Sequence, residues 1–326
     1  MRVHLLRPPQ PHDLALLKSL VPEQVEFTSG VISEKNADFS ILVAGFPSAD
    51  DLAASPHLTK LVIPWAGLPE PTKEFLKNHP DVVVHNIHHN ASTVAESALT
   101  LLLAVAKETL RFDANLRKND WGGRYDDDHN SMLLDGKNAL ILGYGAIGKR
   151  IGRLCRAFGM NVRATRRSLD EVKELPEGIF VHPTHQLRAL LPSTHVLIVS
   201  VPLTEATRGM IGKEEFDLLP HRAVLVNIGR GAIVDEEALF QALESGKLLG
   251  AGIDVWYNYP KDIPSRKSTQ PSKFPFHTLS NVVMSPHRAD HCDDTGRLRM
   301  IHLAEVLKAA ALGQTIPNRV DVDRGY

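Results

Sequence analysis

The chain has 326 residues, 43% of them hydrophobic, and a net charge of −1 at pH 7. This size allows a substantial core and favours two domains, while the balanced charge leaves no broad basic surface for nucleic acid or for a membrane. Only two cysteines are present, the first residues lack the apolar core of a signal peptide, and no uncharged apolar run is long enough to span a bilayer, so we expect a cytoplasmic protein.

Short apolar runs alternate with amphipathic segments over the first part of the chain. The runs lie at 3–6, 40–43, 61–63 and 82–84, and the clearest amphipathic segments lie at 11–20 and 70–78. This alternation predicts a small α/β domain with a parallel sheet.

A long helix is predicted next, from about Ser92 to Leu116, with Thr93 and Glu96 at the spacing of a capping box. A second α/β series follows, and a last helix at about 293–312 is expected to fold back and close the first domain. The strands of the second series are predicted at about 139–142, 161–165, 195–201, 223–228, 250–255 and 282–284. Their alternation with helices indicates a doubly wound sheet, which binds ligands at the carboxyl ends of its strands.

The first strand of that series leads directly into a G-x-G-x-x-G motif and then into a helical pattern. The three glycines allow a tight turn, a close approach of the backbone to a pyrophosphate, and close packing of helix on strand. The helix start at Ala146 and Ile147 offers unpaired N–H groups and a positive dipole end. The sequence therefore predicts a dinucleotide site built on Gly143, Gly145, Ala146, Ile147 and Gly148.

The second strand of the series ends at the segment Thr165-Arg166-Arg167-Ser168. Enzymes that use NAD usually carry an acidic residue about 20 residues after the glycine motif, where it binds the ribose hydroxyls. Two guanidinium groups and two hydroxyls suit a 2′-phosphate instead. We expect NADP(H), with NAD(H) as the alternative. A second interpretation is a solvated strand end in which Asp170 or Glu171 pairs with the arginines.

The order of four sequence blocks resembles the D-isomer-specific 2-hydroxyacid dehydrogenase family over nearly the whole chain. The blocks are the glycine motif, 201–207, 226–239 and 284–287, with Gly252-Ile-Asp254-Val before the last. The resemblance implies an α/β fold of two doubly wound Rossmann-like domains with a cleft between them, and a homodimer. The substrate domain would be discontinuous, at 1–95 and 289–326, and the dinucleotide-binding domain would occupy 96–288.

Arg230 and His287 are the predicted catalytic residues, each placed just beyond a predicted strand. In the Gly-Arg-Gly turn, the Arg230 guanidinium can bind the carboxylate of a 2-oxo acid and polarise its carbonyl. His287, in Ser-Pro-His, is similar to the acid/base histidine of the family, which exchanges a proton with the substrate oxygen. A surface arginine and a structural histidine are the plain alternatives.

The chain departs from the family pattern at Tyr259, where the family carries the glutamate partner of the histidine. Without a carboxylate there, we expect a lower pKa for His287 than in its relatives. Asp290 or Asp293 is one candidate replacement, and a hydrogen bond from Tyr257 or Tyr259 is the other. Formate dehydrogenases of the same superfamily also lack this glutamate, so formate-like oxidation without a proton relay is a competing hypothesis.

The remaining predicted contacts follow from the resemblance. The backbone at Ala66 and Gly67 is expected to meet the substrate carboxylate, and Asn90 either contacts substrate or caps the long helix. Pro202, Thr207 and Asp254 are expected to contact the cofactor, with capping as the alternative for Asp254. His85, His88 and His89 are not accompanied by the ligands of a typical metal site, so no metal is predicted.

The sequence thus predicts an NADP(H)-dependent oxidoreductase that interconverts a small 2-oxo acid and a D-2-hydroxy acid, similar to a glyoxylate/hydroxypyruvate reductase. No nucleic acid or membrane partner is expected. Besides formate-like chemistry, the remaining alternative is a cofactor-sensing interaction protein with little turnover.

Overall fold

The chain leaves its first unit after Asn90 and returns to it at His291. A computed structural model describes residues 1–33, 37–125 and 131–325. Unit 1 comprises Met1–Asn90 and His291–Tyr326, and unit 2 comprises Ala91–Asp290. The boundaries predicted from the sequence lie at 95 and 289 instead.

Unit 1 contains a parallel sheet of five strands in the order β2-β1-β3-β4-β5. Its elements in chain order are β1 (Arg2–Leu5), α1 (Pro11–Leu20), β2 (Glu26–Ser29), β3 (Ile41–Val43), α2 (Ala49–Ala53), β4 (Lys60–Ile63), α3 (Glu70–Leu76) and β5 (Val83–Asn86). The central strand β3 is apolar and buried along its whole length, as in a parallel sheet covered on both faces. Strand β2 is polar and largely exposed, so no apolar run in the sequence predicts it.

Unit 2 contains a sheet of eight strands in the order β13-β12-β11-β10-β6-β7-β9-β8. Its elements are α4 (Ala91–Ala106), α5 (Thr109–Leu116), β6 (Asn138–Leu142), α6 (Ala146–Ala157), β7 (Asn161–Arg166), β8 (Lys173–Glu174), β9 (Phe180–Pro183), α7 (Leu187–Leu190), β10 (Val196–Val199), α8 (Lys213–Leu218), β11 (Ala223–Asn227), α9 (Glu236–Glu244), β12 (Leu248–Ile253) and β13 (Val282–Met284). All neighbouring pairs are parallel except β8 with β9.

The strand order of unit 2 reverses direction between β6 and β10. This is the topological switch point of a doubly wound sheet, and ligands bind there beyond the carboxyl ends of the strands. Along β6, Ala139 and Ile141 belong to the core on one face, whereas Leu140 and Leu142 belong to the core on the other. The predicted α/β class with doubly wound parallel sheets is confirmed.

The chain returns to unit 1 in helix α10 (Thr295–Ala311), which packs against α1. The close approach is made possible by Gly296, where a Cβ atom would lie 2.6 Å from the Asp13 carboxylate. Among the residues described, each helix is too short or too polar to cross a lipid bilayer.

The prediction of one continuous helix from about Ser92 to Leu116 is wrong. The structure has two helices, α4 and α5, because Glu108 adopts a left-handed backbone with φ of 49° and interrupts the helical ladder. Helix α4 also begins at Ala91, so Thr93 and Glu96 lie inside its first turns and do not form its N-terminal cap. Strand β9 was not predicted, since only Val181 and Pro183 of its four residues are buried.

Candidate active site

The loop between β6 and α6 has the geometry of a dinucleotide-binding turn. Gly143 has φ of 100°, and a Cβ atom on Gly148 would lie 2.0 Å from the Gly143 carbonyl oxygen. At Gly145, a Cβ atom would meet nothing within 4 Å. The helix that starts at Ala146 has no side-chain cap, so its first N–H groups face the space beside Gly145. These residues fit a pyrophosphate group.

The end of β7 presents three of the four predicted residues to solvent. Arg166, Arg167 and Ser168 are exposed, whereas Thr165 is 1% exposed. Arg166 makes no hydrogen bond or ion pair with any residue that the structure describes, so its predicted alternative partners are not seen. The Thr165 hydroxyl is buried without a hydrogen-bond partner in the described part of unit 2.

A turn fixed by Thr207 follows β10. The Thr207 hydroxyl donates to the Pro202 carbonyl oxygen at 2.7 Å and accepts from the Thr204 N–H at 2.8 Å. Parallel strands β10 and β6 are neighbours, so Pro202 and the glycine loop follow adjacent strands at the same sheet edge. This is the position expected for residues that contact the cofactor.

Arg230 lies in a turn that packing holds tightly on both sides. A Cβ atom at Gly229 would lie 2.8 Å from the Val201 carbonyl oxygen, and one at Gly231 would lie 2.4 Å from that of Trp256. Asn227 accepts a hydrogen bond from the Gly229 N–H and donates one to the Arg230 carbonyl oxygen. The Arg230 side chain is exposed and donates to the Gly229 carbonyl oxygen at 2.7 Å.

The loop that carries His287 is held by the buried carboxylate of Asp254. This carboxylate accepts hydrogen bonds from the Ser285 hydroxyl and from the N–H groups of Arg288 and Ala289. His287 itself has φ of 55°, a left-handed conformation that is uncommon for residues other than glycine and is often found at functional sites. Asp254 therefore positions the loop, and its contact with a cofactor stays a prediction.

Tyr259 contacts the imidazole of His287. Its hydroxyl oxygen lies 2.9 Å from His287 Nδ1 and accepts a hydrogen bond from the Trp256 N–H at 3.1 Å. Burial raises the pKa of Tyr259, and the nearby charge of Arg230 opposes that rise. The other candidate, Tyr257, donates to the Val234 carbonyl oxygen at 3.1 Å instead. Of the two tyrosines, Tyr259 is thus the one bonded to the histidine.

In unit 1, the predicted substrate residues follow β4 and β5. Asn86, at the end of β5, donates a hydrogen bond to the Ala66 carbonyl oxygen at 2.6 Å and so fixes the turn that contains Gly67. The Asn90 side-chain oxygen is buried and accepts no hydrogen bond from the described residues, so the capping alternative is not observed.

Burial lowers the pKa of both His85 and His88, the histidines near the end of β5. His85 Nδ1 lies 2.8 Å from the Pro317 carbonyl oxygen. The described ranges contain no group of three or more His, Cys, Asp or Glu side chains arranged to hold a metal ion.

The structure brings together one set of predicted residues at the carboxyl edge of the unit 2 sheet. Arg230 follows β11, Asp254 follows β12 and His287 follows β13, and these three strands are adjacent. Asn227, Ser285 and the Trp256 backbone complete this set and were not predicted. Their roles consist of backbone and loop contacts, which no residue spacing reveals.

Comparison with known proteins also indicates that unit 2 contains a dinucleotide-binding domain. The profile described as D-isomer specific 2-hydroxyacid dehydrogenase, NAD binding domain, matches residues 99–289. The glyoxylate reductase of Thermococcus gammatolerans is 32% identical over 282 residues, which cover 82% of this chain and 78% of that protein.

Two further relatives match over a smaller part of their own length. The glyoxylate reductase of Aeropyrum pernix is 36% identical over 70% of this chain and 65% of that protein. The D-3-phosphoglycerate dehydrogenase of Methanocaldococcus jannaschii is 27% identical over 92% of this chain and 56% of that protein. The chain thus spans just over half the length of the second of these and about two thirds of the first.

Solved structures share the fold over the whole chain. The D-isomer specific 2-hydroxyacid dehydrogenase of Xanthobacter autotrophicus has a TM-score of 0.78 at 23% identity and covers 100% of both chains. An NADPH-dependent glyoxylate/hydroxypyruvate reductase of Sinorhizobium meliloti has a TM-score of 0.78 at 22% identity and covers 100% of this chain and 99% of its own. Together with the profile match over more than half of the residues, these findings confirm the resemblance: the chain belongs to the D-isomer specific 2-hydroxyacid dehydrogenase family.

Proposed function

We propose that the protein is an NADP(H)-dependent oxidoreductase that interconverts a 2-oxo acid and a D-2-hydroxy acid, like the relatives named glyoxylate reductase. The observation that carries this proposal is the placement of Arg230 and His287 beyond β11 and β13, at one edge of one sheet. A guanidinium and an imidazole on the same side of a dinucleotide-binding sheet suit an anionic substrate whose carbonyl oxygen must gain a proton.

The cofactor preference rests on the end of β7. Arg166 and Arg167 are exposed there, and Arg166 is unpaired among the described residues, so it is available to a 2′-phosphate. The relatives from X. autotrophicus and S. meliloti were solved with NADPH and with NADP. We propose that Gly143, Gly145, Ala146, Ile147 and Gly148 hold the pyrophosphate and that Thr165 to Ser168, Pro202, Thr207 and Asp254 complete the cofactor site.

The role proposed for each residue follows from the chemistry of its side chain. Reduced nicotinamide supplies a hydride to the carbonyl carbon when it is bound. Arg230 binds the substrate carboxylate and stabilises the negative charge that develops on the carbonyl oxygen. His287 gives that oxygen a proton, and Asp254 keeps the His287 loop in place through the N–H groups that it binds. In unit 1, the backbone at Ala66 and Gly67 and the side chain of Asn90 are proposed to contact the substrate.

We propose a cytoplasmic homodimer. Helix α5 and the residues after it expose large apolar side chains within unit 2, and the family resemblance implies a second copy of the chain as their partner. These side chains are Leu110, Leu116, Trp121, Tyr125 and Leu133. Both cysteines are free thiols, as expected in a reducing compartment. Light scattering would test the dimer, and Trp121→Glu is expected to shift it towards monomer.

The experiment that tests the function is a substrate panel assayed with NADPH and with NADH. Glyoxylate, hydroxypyruvate, pyruvate and bulkier 2-oxo acids would each be mixed with purified protein, and loss of reduced-cofactor absorbance would be recorded. We expect oxidation of NADPH with at least one of these acids. Reduction of NADP⁺ by formate alone would favour formate-like chemistry, and cofactor binding without any turnover would favour a sensing protein.

A further inference from the structure

Two groups lie within hydrogen-bond distance of the phenol oxygen of Tyr259. The Trp256 N–H can only donate, so the oxygen accepts at that contact. His287 Nδ1 lies 2.9 Å away, and the direction of this second hydrogen bond depends on the tautomer of the imidazole. If the phenol donates, Nδ1 carries no proton and the neutral imidazole is protonated on Nε2.

Given the proposed function, we propose that Tyr259 and His287 form an uncharged proton relay that protonates the substrate oxygen, in place of a carboxylate and an imidazolium. As the carbonyl carbon receives a hydride from reduced nicotinamide, the oxygen takes the proton from His287 Nε2. Nδ1 takes the phenol proton in the same step. The immediate products are a hydroxy acid, an imidazole protonated on Nδ1 and a phenolate. The pair returns to its starting state when a proton from solvent reaches Nε2 and Nδ1 gives its proton back to the phenolate.

The surroundings of the phenol oxygen suit this exchange. The Trp256 N–H already points at the oxygen, and Arg230 lies near enough for its charge to favour the phenolate. The Asp254 carboxylate acts in the opposite direction, and burial also disfavours the charged form. Among the described residues, Arg230 after β11 and Asp254 after β12 are thus the charged groups that shift the pKa of Tyr259. Tyr259 is therefore a positioning residue for His287 that also gives a proton to Nδ1 as Nε2 loses its own.

The relay predicts a distinctive pH profile. A neutral pair remains active as the pH rises past the ordinary histidine pKa of about 6.5 and fails only when the phenol ionises, above about pH 10. An enzyme that needs an imidazolium loses activity when the imidazolium deprotonates.

The decisive experiment compares Tyr259→Phe and Tyr259→Glu with the parent protein. Tyr257→Phe is the matched control, because the Tyr257 hydroxyl contacts only the Val234 carbonyl oxygen among the described residues. At pH 8, Tyr259→Phe is expected to lower kcat about 10²-fold, and at pH 5.5 the loss should nearly vanish because an imidazolium can donate by itself. At neutral pH, Tyr259→Glu should be more active than Tyr259→Phe. The pH above which Tyr259→Glu loses activity should lie about two pH units lower than in the parent protein. Tyr257→Phe should match the parent protein.

Equal losses for Tyr259→Phe at both pH values would show a merely structural role and would overturn the relay. Activity of Tyr259→Glu that persists to a higher pH than the activity of the parent protein would also overturn the relay, since that result requires that the parent protein uses an imidazolium. A solvent isotope effect that reports two protons in flight is expected for the parent and one proton for Tyr259→Phe.

A second readout does not depend on turnover. Nitrogen NMR of the His287 imidazole, assigned by its loss in His287→Asn, should show the neutral form protonated on Nε2 in the parent protein. The fraction of neutral imidazole protonated on Nδ1 should be larger in Tyr259→Phe than in the parent protein. Protonation on Nδ1 in the parent protein would disprove the bond direction. If no 2-oxo acid is reduced, the proposed function fails, while the NMR result still decides the arrangement of protons.

Discussion

The N–H of Arg288 donates a hydrogen bond to the Asp254 carboxylate, although the two residues lie 34 positions apart in the chain. The same carboxylate binds the Ser285 hydroxyl and the Ala289 N–H. His287 lies between these anchors with a left-handed backbone. One buried side chain thus fixes the conformation of the loop that carries the imidazole.

Asp254→Asn is expected to lower the free energy of unfolding by about 1–3 kcal/mol, because the amide nitrogen would face an N–H group that now has an acceptor. Urea unfolding at pH 7 would measure the change. Glu205→Gln, an exposed change of the same type, should alter stability by less than about 0.5 kcal/mol. An Asp254→Asn protein as stable as the parent would show that the carboxylate does not hold this loop.

Alanine at two glycines of the motif should have opposite consequences. Gly148→Ala places a Cβ atom 2.0 Å from the Gly143 carbonyl oxygen, so we expect a loss of about 1–3 kcal/mol of stability from overpacking. Gly145→Ala enters open space and should leave stability unchanged while weakening NADPH binding. Thermal unfolding and fluorescence titration would measure the two effects. Unchanged NADPH affinity in Gly145→Ala would argue against a pyrophosphate at that position.

The double change Arg166→Ala and Arg167→Ala should raise the KM for NADPH about 10- to 100-fold, since charge-assisted hydrogen bonds to a phosphate are lost. The KM for NADH should change little, because NADH has no 2′-phosphate. Steady-state rates with each cofactor at a fixed 2-oxo acid concentration would measure both. Arg266→Ala, at an exposed arginine of another loop, is the control. A similar rise for both cofactors would refute the phosphate role.

His287→Asn is expected to lower kcat for 2-oxo acid reduction by about 10²- to 10⁴-fold. Asparagine tolerates a left-handed backbone better than alanine, so the loop conformation at φ of 55° should be kept. NADPH affinity, measured by fluorescence, should match the parent protein. Retained turnover would remove His287 from the acid/base role.

Burial raises the pKa of the Cys155 thiol from 9.0 to about 12. A thiol reagent at pH 8 should therefore modify only the exposed Cys292 in the native protein and both cysteines after unfolding. The folded pKa is the higher one, so the stability contribution is complete below about pH 9 and is lost as the pH rises towards 12. In Cys155→Ala, this part of the alkaline loss of stability should disappear. Two reactive thiols in the native protein would contradict the buried position.

The buried strands of unit 2 could be predicted because each is an apolar run followed by a turn. The predicted run at 282–284 coincides with β13, and the run at 223–228 differs from β11 by one residue. Strands β2 and β9 could not be found in this way, because exposed positions interrupt their apolar pattern. The break between α4 and α5 depends on the backbone of a single residue, Glu108.

The candidate site could likewise be predicted only in part. Arg230, Asp254 and His287 could be predicted to lie at one sheet edge because each follows a parallel strand. The partner of the imidazole could not be chosen, because Tyr257 and Tyr259 are two positions apart and only the fold of the loop sends one phenol towards Val234 and the other towards His287.

A tyrosine at position 259 also changes the electric field around Arg230. Under the proposed relay, the phenol and the imidazole are both uncharged, so the Arg230 guanidinium faces a neutral pair at this edge of the sheet. We expect the salt dependence of anion capture at this edge to come from Arg230 and not from the pair.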